Sequence, residues 1–287
     1  PWVNGASMNN QGVEFTVFFK SDPSSEFQWA VSANIGTYKT ELTDLPSNVI
    51  NKYAGDGVHD LILGRSPNSA YGLVADGIFK TQEEVDAHAD QPGKAVGRIR
   101  YKDLDGDGVI NETYDRTWIG CYDPDFFGGL NFDFAYKGFD LNLFFEGMFG
   151  NDVNSDWKKE SDIWLFTNPA WKNHATRMLG GWSPDNPNSD IPAISNNTAN
   201  QEQRFSSWFI EDGSYIKLRN IELGYTFPTK LIKKMHMSNL RLYAAAYNVF
   251  TLKKFWGDDK YTSFDPERPS YHYLTPFTFN FGINVSF

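Results

Sequence analysis

The sequence is poor in cysteine, in long apolar runs and in positive charge, and each shortage excludes a class of protein. Cys121 is the one cysteine among 287 residues, so no internal disulfide can form. No stretch approaches the roughly 18 consecutive apolar residues of a membrane helix, which excludes a helical membrane protein. With 26 Lys and Arg against 36 Asp and Glu, the formal net charge of -10 argues against nucleic-acid binding and leaves acidic loops as cation sites. The chain opens PWVNGASMNNQG, without an initiator Met or a signal segment, so we expect it to be part of a longer polypeptide.

Aromatic residues are abundant instead, and they mark the last stretch of the chain. Phe, Trp and Tyr make up 16% of the sequence, which requires either a large core or a lipid-facing girdle. From Phe277 to Phe287, large apolar residues alternate without a break against Thr, Asn, Gly and Ser. Period two over this length indicates a strand with one wholly apolar face, and the length fits the roughly 9 to 11 residues that a tilted strand needs to cross a bilayer. The pattern predicts a strand with lipid on one side and a polar lumen on the other.

Further alternating stretches predict more strands of this kind. In the clearest hairpin, around a turn at Lys137 and Gly138, the apolar set would face lipid and the polar set the lumen, where carboxylates are tolerable because water reaches them. The facing of residues 239–250 is open, since Leu240 and Leu242 oppose Arg241 and Tyr243 while residues 244–246, all alanine, suit either side. The expected strands are 12–20, 27–37, 126–136, 139–149, 215–227 and 239–250, with shorter candidates at 70–74 and 98–102. The lumen-facing set of the hairpin is Asn131, Asp133, Asp140, Asn142 and Glu146.

The connections between these strands alternate in length. Short links follow residues 20, 136 and 227, whereas long connections follow residues 37 and 149 and a moderate one follows residue 250. Short periplasmic turns alternating with long outer loops are typical of bacterial outer-membrane barrels. The sequence therefore predicts an all-β fold, an antiparallel transmembrane β-barrel with about seven spanning strands, long extracellular loops and a periplasmic C-terminus. An odd number of strands cannot close as an up-and-down barrel, because the first and last strands would run parallel. The missing strands are therefore expected before Pro1.

The sharpest local motif is the acidic loop KDLDGDGVINETYD. Asp103, Asp105 and Asp107 stand at alternate positions and Gly108 stands sixth, which matches a calcium loop of the EF-hand type. Converging carboxylates repel one another unless a hard cation sits among them, and Val109 would add its backbone carbonyl. The motif predicts a structural calcium ion.

The end of this loop departs from the EF-hand pattern. Its twelfth position is Tyr114 rather than an acid, and Asp115 follows one residue late. Either the loop is stretched by one residue and Asp115 completes the shell, or the site is degraded and weak. A solvated Asp and Gly turn without a metal is the third alternative.

Several segments also resemble, in chain order, the C-terminal third of SusC/RagA-type TonB-dependent transporters from Bacteroidetes. No single segment is decisive, but the ordered set is specific and runs along nearly the whole chain. The segments are NGASMNNQGVEFTV, DGIFKTQEEVDAH, YKDLDGDGVIN with DRTWIG, the run DPDFFGGLNFDFAYKGFDLNLFFEGMFGND, DGSYIKLRNIELGYTFP, LRLYAAAYNVFTL and the closing aromatic strand.

The resemblance implies a larger barrel of about 22 strands, of which residues 1–287 supply the C-terminal portion, with the N-terminal plug domain and the first strands outside this sequence. It implies import of nutrients such as oligosaccharides or peptides, with a SusD-like surface lipoprotein closing over the barrel. TonB–ExbB–ExbD would supply energy through the plug, and outer-membrane lipid would surround the wall. The terminal Phe287 resembles the signal that the barrel-assembly machinery reads, and it would also serve as a girdle aromatic.

Tryptophans in the expected outer loops offer a candidate ligand surface. Their faces could stack on sugar rings, pack the loops together or meet the partner lipoprotein. They are Trp157, Trp164, Trp171, Trp182, Trp208 and Trp256. No particular substrate-binding residue is predicted.

Two other classes of protein compete with the transporter. One alternative is a soluble, calcium-dependent glycan-binding β-sandwich surface module, which the alternating loop lengths and the wholly apolar final strand disfavour. The other is a glycoside hydrolase, which would need two carboxylates at catalytic spacing, and nothing in the sequence places any there. No catalytic residue is predicted, and the protein is not expected to be an enzyme.

Overall fold

The computed structural model describes residues 5–46, 61–163, 174–195, 199, 201–253, 262, 264–269 and 273–287. Its main element is a seven-stranded sheet in the order β1-β2-β7-β8-β11-β12-β13, with every neighbouring pair antiparallel. These strands are β1 (Ser7–Lys20), β2 (Phe27–Asp44), β7 (Phe126–Tyr136), β8 (Phe139–Phe149), β11 (Tyr215–Thr226), β12 (Asn239–Lys253) and β13 (Thr278–Ser286). The predicted number of strands, about seven, and their antiparallel pairing are confirmed.

The hairpin of β7 and β8 has the bounds that the sequence pattern predicts. Tyr136 pairs with Phe139 across a two-residue turn. Lys137 has φ of 48° and Gly138 of 88°. Two positive φ values make a turn whose twist matches that of the flanking strands, and a glycine at the second position adopts it without strain.

One face of the sheet is apolar and exposed, and the other carries the polar residues. On β13 the side chains of Phe279, Phe281 and Ile283 are 62%, 82% and 66% exposed. A β-sandwich would cover such a face with a second sheet. We call these the apolar face and the polar face. The exposure of the apolar face disfavours the soluble sandwich and fits a wall with lipid on one side.

Arg241 settles which way β12 faces. It pairs with Asp140 and Glu222 on the polar face, so its neighbours Leu240 and Leu242 lie on the apolar face by strand alternation.

The connections at the edge of the sheet opposite the Lys137 turn are long, and they carry the buried core. Leu73, Ile78, Ile99, Tyr101 and Ile110 form one buried cluster. Three small strand pairs organise these connections: β3 (Ser69–Leu73) with β6 (Arg116–Cys121), β4 (Ala75–Ile78) with β5 (Ile99–Tyr101), and β9 (Asp152–Asn154) with β10 (Ile210–Asp212). The long loops are therefore folded units.

Helical segments are short. They are the α-helices Gln82–Ala87, Asp156–Lys158 and Thr229–Ile232, the π-helix Lys159–Ile163 and the 3-10 helices Thr176–Gly180, Ser207–Phe209 and Lys233–Met235. Across the described ranges, none of the helices has the length and hydropathy that a membrane span requires.

Candidate functional site

A ladder of amides and one carboxylate crosses the polar face of the sheet. Asn142 on β8 donates to Asn131 and to Asp133 on β7, at 2.9 and 2.7 Å. On its other side, Asn142 accepts from the amide of Asn220 on β11, at 2.8 Å. Side chains of this kind are costly against a dry core, so the ladder indicates a face that contacts water or a polar partner.

Nearer the short turns, Arg241 binds two carboxylates at once. Its guanidinium donates to both oxygens of Asp140, with Nε at 3.0 Å, and to Glu222 at 2.7 Å. A planar guanidinium is suited to such forked contacts. Gly224 makes the arrangement possible, because a Cβ there would lie 2.4 Å from Nη2 of Arg241. Asp140 and Glu222 therefore share a cation, which disfavours a glycosidase acid and nucleophile pair.

A β-bulge on β11 places a second arginine on the polar face. The pairing of β11 shifts between Leu218 and Asn220, and Arg219 is the extra residue relative to β8. Because of the bulge, Lys217, Arg219 and Asn220 all point to the polar face. Arg219 makes a bidentate contact with Glu146 at 3.0 and 2.9 Å.

The residues around the bulge also hold a segment of the last long connection. Lys217, which is 2% exposed, donates to Asp265 and to Glu267, each at 2.7 Å. Arg219 binds the other oxygen of Glu267. Burial alone would raise the pKa of Glu267, but hydrogen bonds from Arg219 and Lys217 outweigh it and lower the pKa to about 2. Residues 264–269 are thus fastened to the wall of the sheet.

A second contact joins the last connection to the preceding one. Thr262 donates through its backbone N–H and its hydroxyl to the buried carboxylate of Glu211, at 3.1 and 2.7 Å. Phe264 packs edge-on against Trp157. These contacts make the long connections one packed assembly at this edge of the sheet.

A buried ion pair stabilises the centre of that assembly. Glu202 accepts from the guanidinium of Arg98 and from the backbone N–H of Ile99, each at 2.8 Å. Both charged side chains are 6% exposed. Burial raises the pKa of Glu202, and the neighbouring charge of Arg98 opposes this rise in part.

Three of the six loop tryptophans named in the sequence analysis lie among the described residues, and they pack the loops together. Trp182 and Trp208 lie against the buried cluster around Tyr101. The ammonium group of Lys158 lies 4.8 Å from the ring centroid of Trp208. Trp164, Trp171 and Trp256 fall outside the described residues. The structure therefore favours loop packing for Trp157, Trp182 and Trp208.

The acidic loop brings three of its carboxylates together. Ligand oxygens of Asp103, Asp105 and Asp115 all lie within 4.8 Å of one another. Asp115 is fully buried, whereas Asp105 is exposed. Oxygen atoms at this spacing suit a hard cation such as calcium, so the donor set fits the ion that the motif predicts.

A tight turn accounts for the late position of Asp115. The side-chain oxygen of Asn111 accepts from the N–H groups of Thr113 and Tyr114. Asp115 in turn accepts from the N–H groups of Leu104 and Asn111, at 2.8 and 2.6 Å. The turn directs Tyr114 outward, where it is exposed, and directs the Asp115 carboxylate back toward Asp103. This geometry corresponds to the stretched loop among the three sequence alternatives.

The other two predicted ligands lie differently. The carboxylate of Asp107 does not belong to the described cluster and accepts from the N–H of Val109 at 2.7 Å. The Val109 carbonyl accepts from the side-chain amide of Asn111 at 3.4 Å. Ile110, the next residue, is buried and fixes the loop in the core.

Neighbouring groups shift the titration of two carboxylates in this loop. The backbone N–H of Gly108 is the main cause of the lowered pKa of Asp103. The N–H of Asp107 lowers the pKa of Asp105, but desolvation and the charges of Asp107 and Asp115 outweigh it, so the pKa of Asp105 is raised. Mutual repulsion of this kind is what a bound cation would relieve.

The predicted assembly signal lies at the end of the apolar face. Phe287 directly follows β13 and is 87% exposed. On the adjacent residue, the carbonyl of Ser286 accepts from the N–H of Ser238 at 2.7 Å, which closes the pairing with β12.

Comparison with known proteins gives a consistent family. No protein-family model matches the chain. TonB-dependent receptor P3 of Formosa agariphila is 30% identical over 302 residues, covering 99% of this chain and 29% of the receptor. TonB-dependent receptor SusC of Bacteroides thetaiotaomicron is 26% identical over 297 residues, covering 99% of this chain and 27% of the receptor. The chain thus spans less than a third of these relatives.

Solved structures show the same relationship for the fold. The RagAB peptide importer in its closed-closed state superposes with a TM-score of 0.69 at 23% identity, over 99% of this chain and 30% of that one. In its open-open state the TM-score is 0.69 at 21% identity, over 98% and 29%. The seven-stranded sheet is therefore part of a β-barrel wall, and in sequence the chain is homologous to part of TonB-dependent receptors, SusC among them.

Proposed function

We propose that the protein containing this chain imports a nutrient, an oligosaccharide or a peptide, across the bacterial outer membrane with energy from TonB. The observation that carries the proposal is the two-faced sheet. Its apolar face is exposed from Phe15 on β1 to Phe281 on β13, and its polar face is crossed by the Asn142 ladder and the two arginine clusters. Such a wall separates lipid from a polar lumen.

The position of the loops supports an orientation. All three long connections leave the sheet at one edge, and short turns close the other. Outer-membrane barrels have long loops outside and short turns in the periplasm. We therefore place the packed loops and the acidic loop outside the cell, and the C-terminus at Phe287 in the periplasm.

The same orientation assigns the partners. A SusD-like surface lipoprotein would contact the packed loops from outside, in keeping with the relation to SusC and RagAB. TonB–ExbB–ExbD would act from the periplasm through a plug domain enclosed by the polar face. The barrel-assembly machinery would engage β13 and Phe287 during insertion.

We further propose that the acidic loop binds calcium in a structural role. Asp103, Asp105 and Asp115 supply converging oxygen atoms, and hydration or backbone carbonyls would complete the shell. The ion would fix the loop between the buried Ile110 and the buried Asp115. It would thereby hold an outer surface in shape for the partner.

A deletion strain tests the import proposal. In the native bacterium, removal of the gene should abolish growth on one oligosaccharide or peptide source, and the wild-type gene should restore it. A tagged full-length receptor should co-purify a lipid-anchored surface protein from outer-membrane extracts. Unchanged growth on every source, together with recovery of the receptor outside the outer membrane, would contradict the proposal.

A further inference from the structure

A concave apolar groove lies on the apolar face, at the end of the strands that leads into the long loops. Its volume is about 510 Å³, within the roughly 300 to 1,000 Å³ of small-ligand pockets. Almost all of its lining is apolar, contributed by five neighbouring strands from β2 to β12. The groove belongs to the surface that contacts lipid, and none of the motifs discussed above explains it.

Two facing glycines form the floor of this groove. One row of paired residues crosses the five strands, and Gly128 and Gly147 stand opposite each other at its centre. Ile35 on β2 and Ile216 on β11 pair with them from either side, and Leu252 on β12 ends the row. The central positions therefore lack side chains, while the ends of the row carry branched apolar ones.

The neighbouring rows form the walls. Toward the loops, the rings of Phe126 and Phe149 stack with their centroids 4.8 Å apart. Toward the middle of the sheet, Leu130 pairs with Phe145. A groove between two such rows follows the glycine row across the strands, and its walls present almost entirely apolar atoms to whatever fills it.

The backbone itself keeps the floor free of side chains. A Cβ on Gly128 would lie 2.3 Å from the carbonyl oxygen of Asn34, and one on Gly147 would lie 3.0 Å from a ring carbon of Phe149. Any larger residue would displace the strand pairing or the aromatic wall. The depression is therefore a fixed feature of the sheet.

We propose that this groove binds one acyl chain of a membrane lipid in the leaflet on the long-loop side. Its lining is continuous with the lipid-facing wall, so hydrocarbon is the solvent it meets. Water would find no hydrogen-bonding partners there, and an empty groove would forfeit dispersion contacts along its walls. An acyl chain fills such a shape without burying a polar group.

A cation lies where the headgroup of that lipid would sit. Lys39 is four residues beyond Ile35 on β2, on the same face and about 13 Å further toward the loops. Its side chain is 76% exposed and pairs with Glu41 at 2.5 Å. An exposed pair of this kind contributes little stability, so a lipid phosphate can compete with Glu41 for Lys39. The site thus combines an apolar groove with an exposed ion pair at its polar end, in which Lys39 is the group that a phosphate would bind.

Photolabelling of the full-length receptor in bilayer nanodiscs tests this site. The probe is a phospholipid with a diazirine in its acyl chain. We expect label to concentrate on the peptides that carry Phe126 and Phe149. Ile35→Trp should lower that labelling about tenfold, equivalent to ~1.4 kcal/mol, because the indole fills the groove from its edge. Leu252→Trp should act in the same way from the opposite edge.

Ile283→Trp on β13 is the matched control, since it adds the same side chain to the apolar face away from the groove. It should leave labelling at Phe126 unchanged. Resistance of each purified variant to unfolding in detergent excludes a misfolded barrel. Uniform labelling of the whole apolar face, or unchanged labelling in both groove variants, would overturn the acyl-chain site. The inference rests on the membrane location in the proposed function, and absence of any label on β13 would overturn that location instead.

Discussion

The ammonium group of Lys217 on β11 lies 2.7 Å from the carboxylate of Asp265, although 48 residues separate them in the sequence. Lys217 is almost fully buried, and its second partner is Glu267. The pair therefore fastens the last long connection to the polar face, beside the bulge at Arg219.

Asp265→Asn should destabilise the receptor by about 2 to 4 kcal/mol, because the buried charge of Lys217 would lose one of its two carboxylates. Chemical unfolding of the purified receptor in detergent measures this effect. Asp190→Asn is the control, since Asp190 pairs with Lys80 in an exposed position and should cost less than about 1 kcal/mol. Equal losses of stability in the two variants would show that the buried Lys217 contact contributes no more than an exposed ion pair.

Glu267 should make the same attachment sensitive to acid. Its pKa is lowered to about 2 from an ordinary value of 4.5, so its carboxylate favours the folded state above pH 4.5. This contribution should be lost as the pH falls from about 4.5 to about 2. The stability difference between the wild type and Glu267→Gln should therefore be constant at neutral pH and shrink within that window. A stability difference that does not vary between pH 7 and pH 2 would contradict a stabilising role for the ion pairs of Glu267 with Lys217 and Arg219.

Glu202→Gln should loosen the packed loops. The change leaves the buried guanidinium of Arg98 without its ionic partner, which costs about 3 to 5 kcal/mol for a buried pair. Limited proteolysis should then cleave the loop residues 61–125 and 174–214 faster than in the wild type, while the sheet stays protected. Glu83→Gln, on the exposed surface of the helix Gln82–Ala87, is the matched control and should not change the cleavage rate.

Two substitutions in the acidic loop distinguish the ligand set of the regular EF-hand pattern from the carboxylate cluster in the structure. Asp115→Asn should weaken calcium binding by at least about tenfold, because it removes one of three converging carboxylates. Asp107→Asn should have a smaller effect, since Asp107 lies outside that cluster. Calorimetric titration of the full-length receptor with calcium chloride compares the two. A larger loss with Asp107→Asn would favour the regular EF-hand register, and no calcium binding by the wild type would leave only a solvated turn.

Much of the sheet could be predicted, because the turn residues and the alternation that define its strands lie within short stretches of the sequence. The Lys137 and Gly138 turn and the strict alternation on both sides fix β7 and β8 to the residue. β2 was expected to end at residue 37, whereas it continues to Asp44. There the side chains of Thr40 and Leu42 are buried, so contacts with distant residues extend the strand beyond its local pattern.

The features that were missed depend on long-range contacts. The bulge at Arg219 depends on how β11 pairs with its neighbours, and the attachment of Asp265 to Lys217 joins the last long connection to a strand, which alternation does not predict. The pair of β3 and β6 likewise forms across about 45 residues, and residues 116–121 carry no clear alternation. For the acidic loop, the sequence offered Asp115 only as one alternative, since the turn at Asn111 that brings it back is visible only in the structure.

Accessibility along β13 tests the central claim, that this sheet separates lipid from a polar lumen. Single cysteines would replace each residue from Phe279 to Val285 in the full-length receptor, in a Cys121→Ser background, and would carry a nitroxide spin label in a bilayer. The account predicts that labels at odd-numbered positions collide with dissolved oxygen, and labels at even-numbered positions with a water-soluble nickel chelate. Loss of this alternation, or access of the chelate to both faces, would contradict a membrane wall.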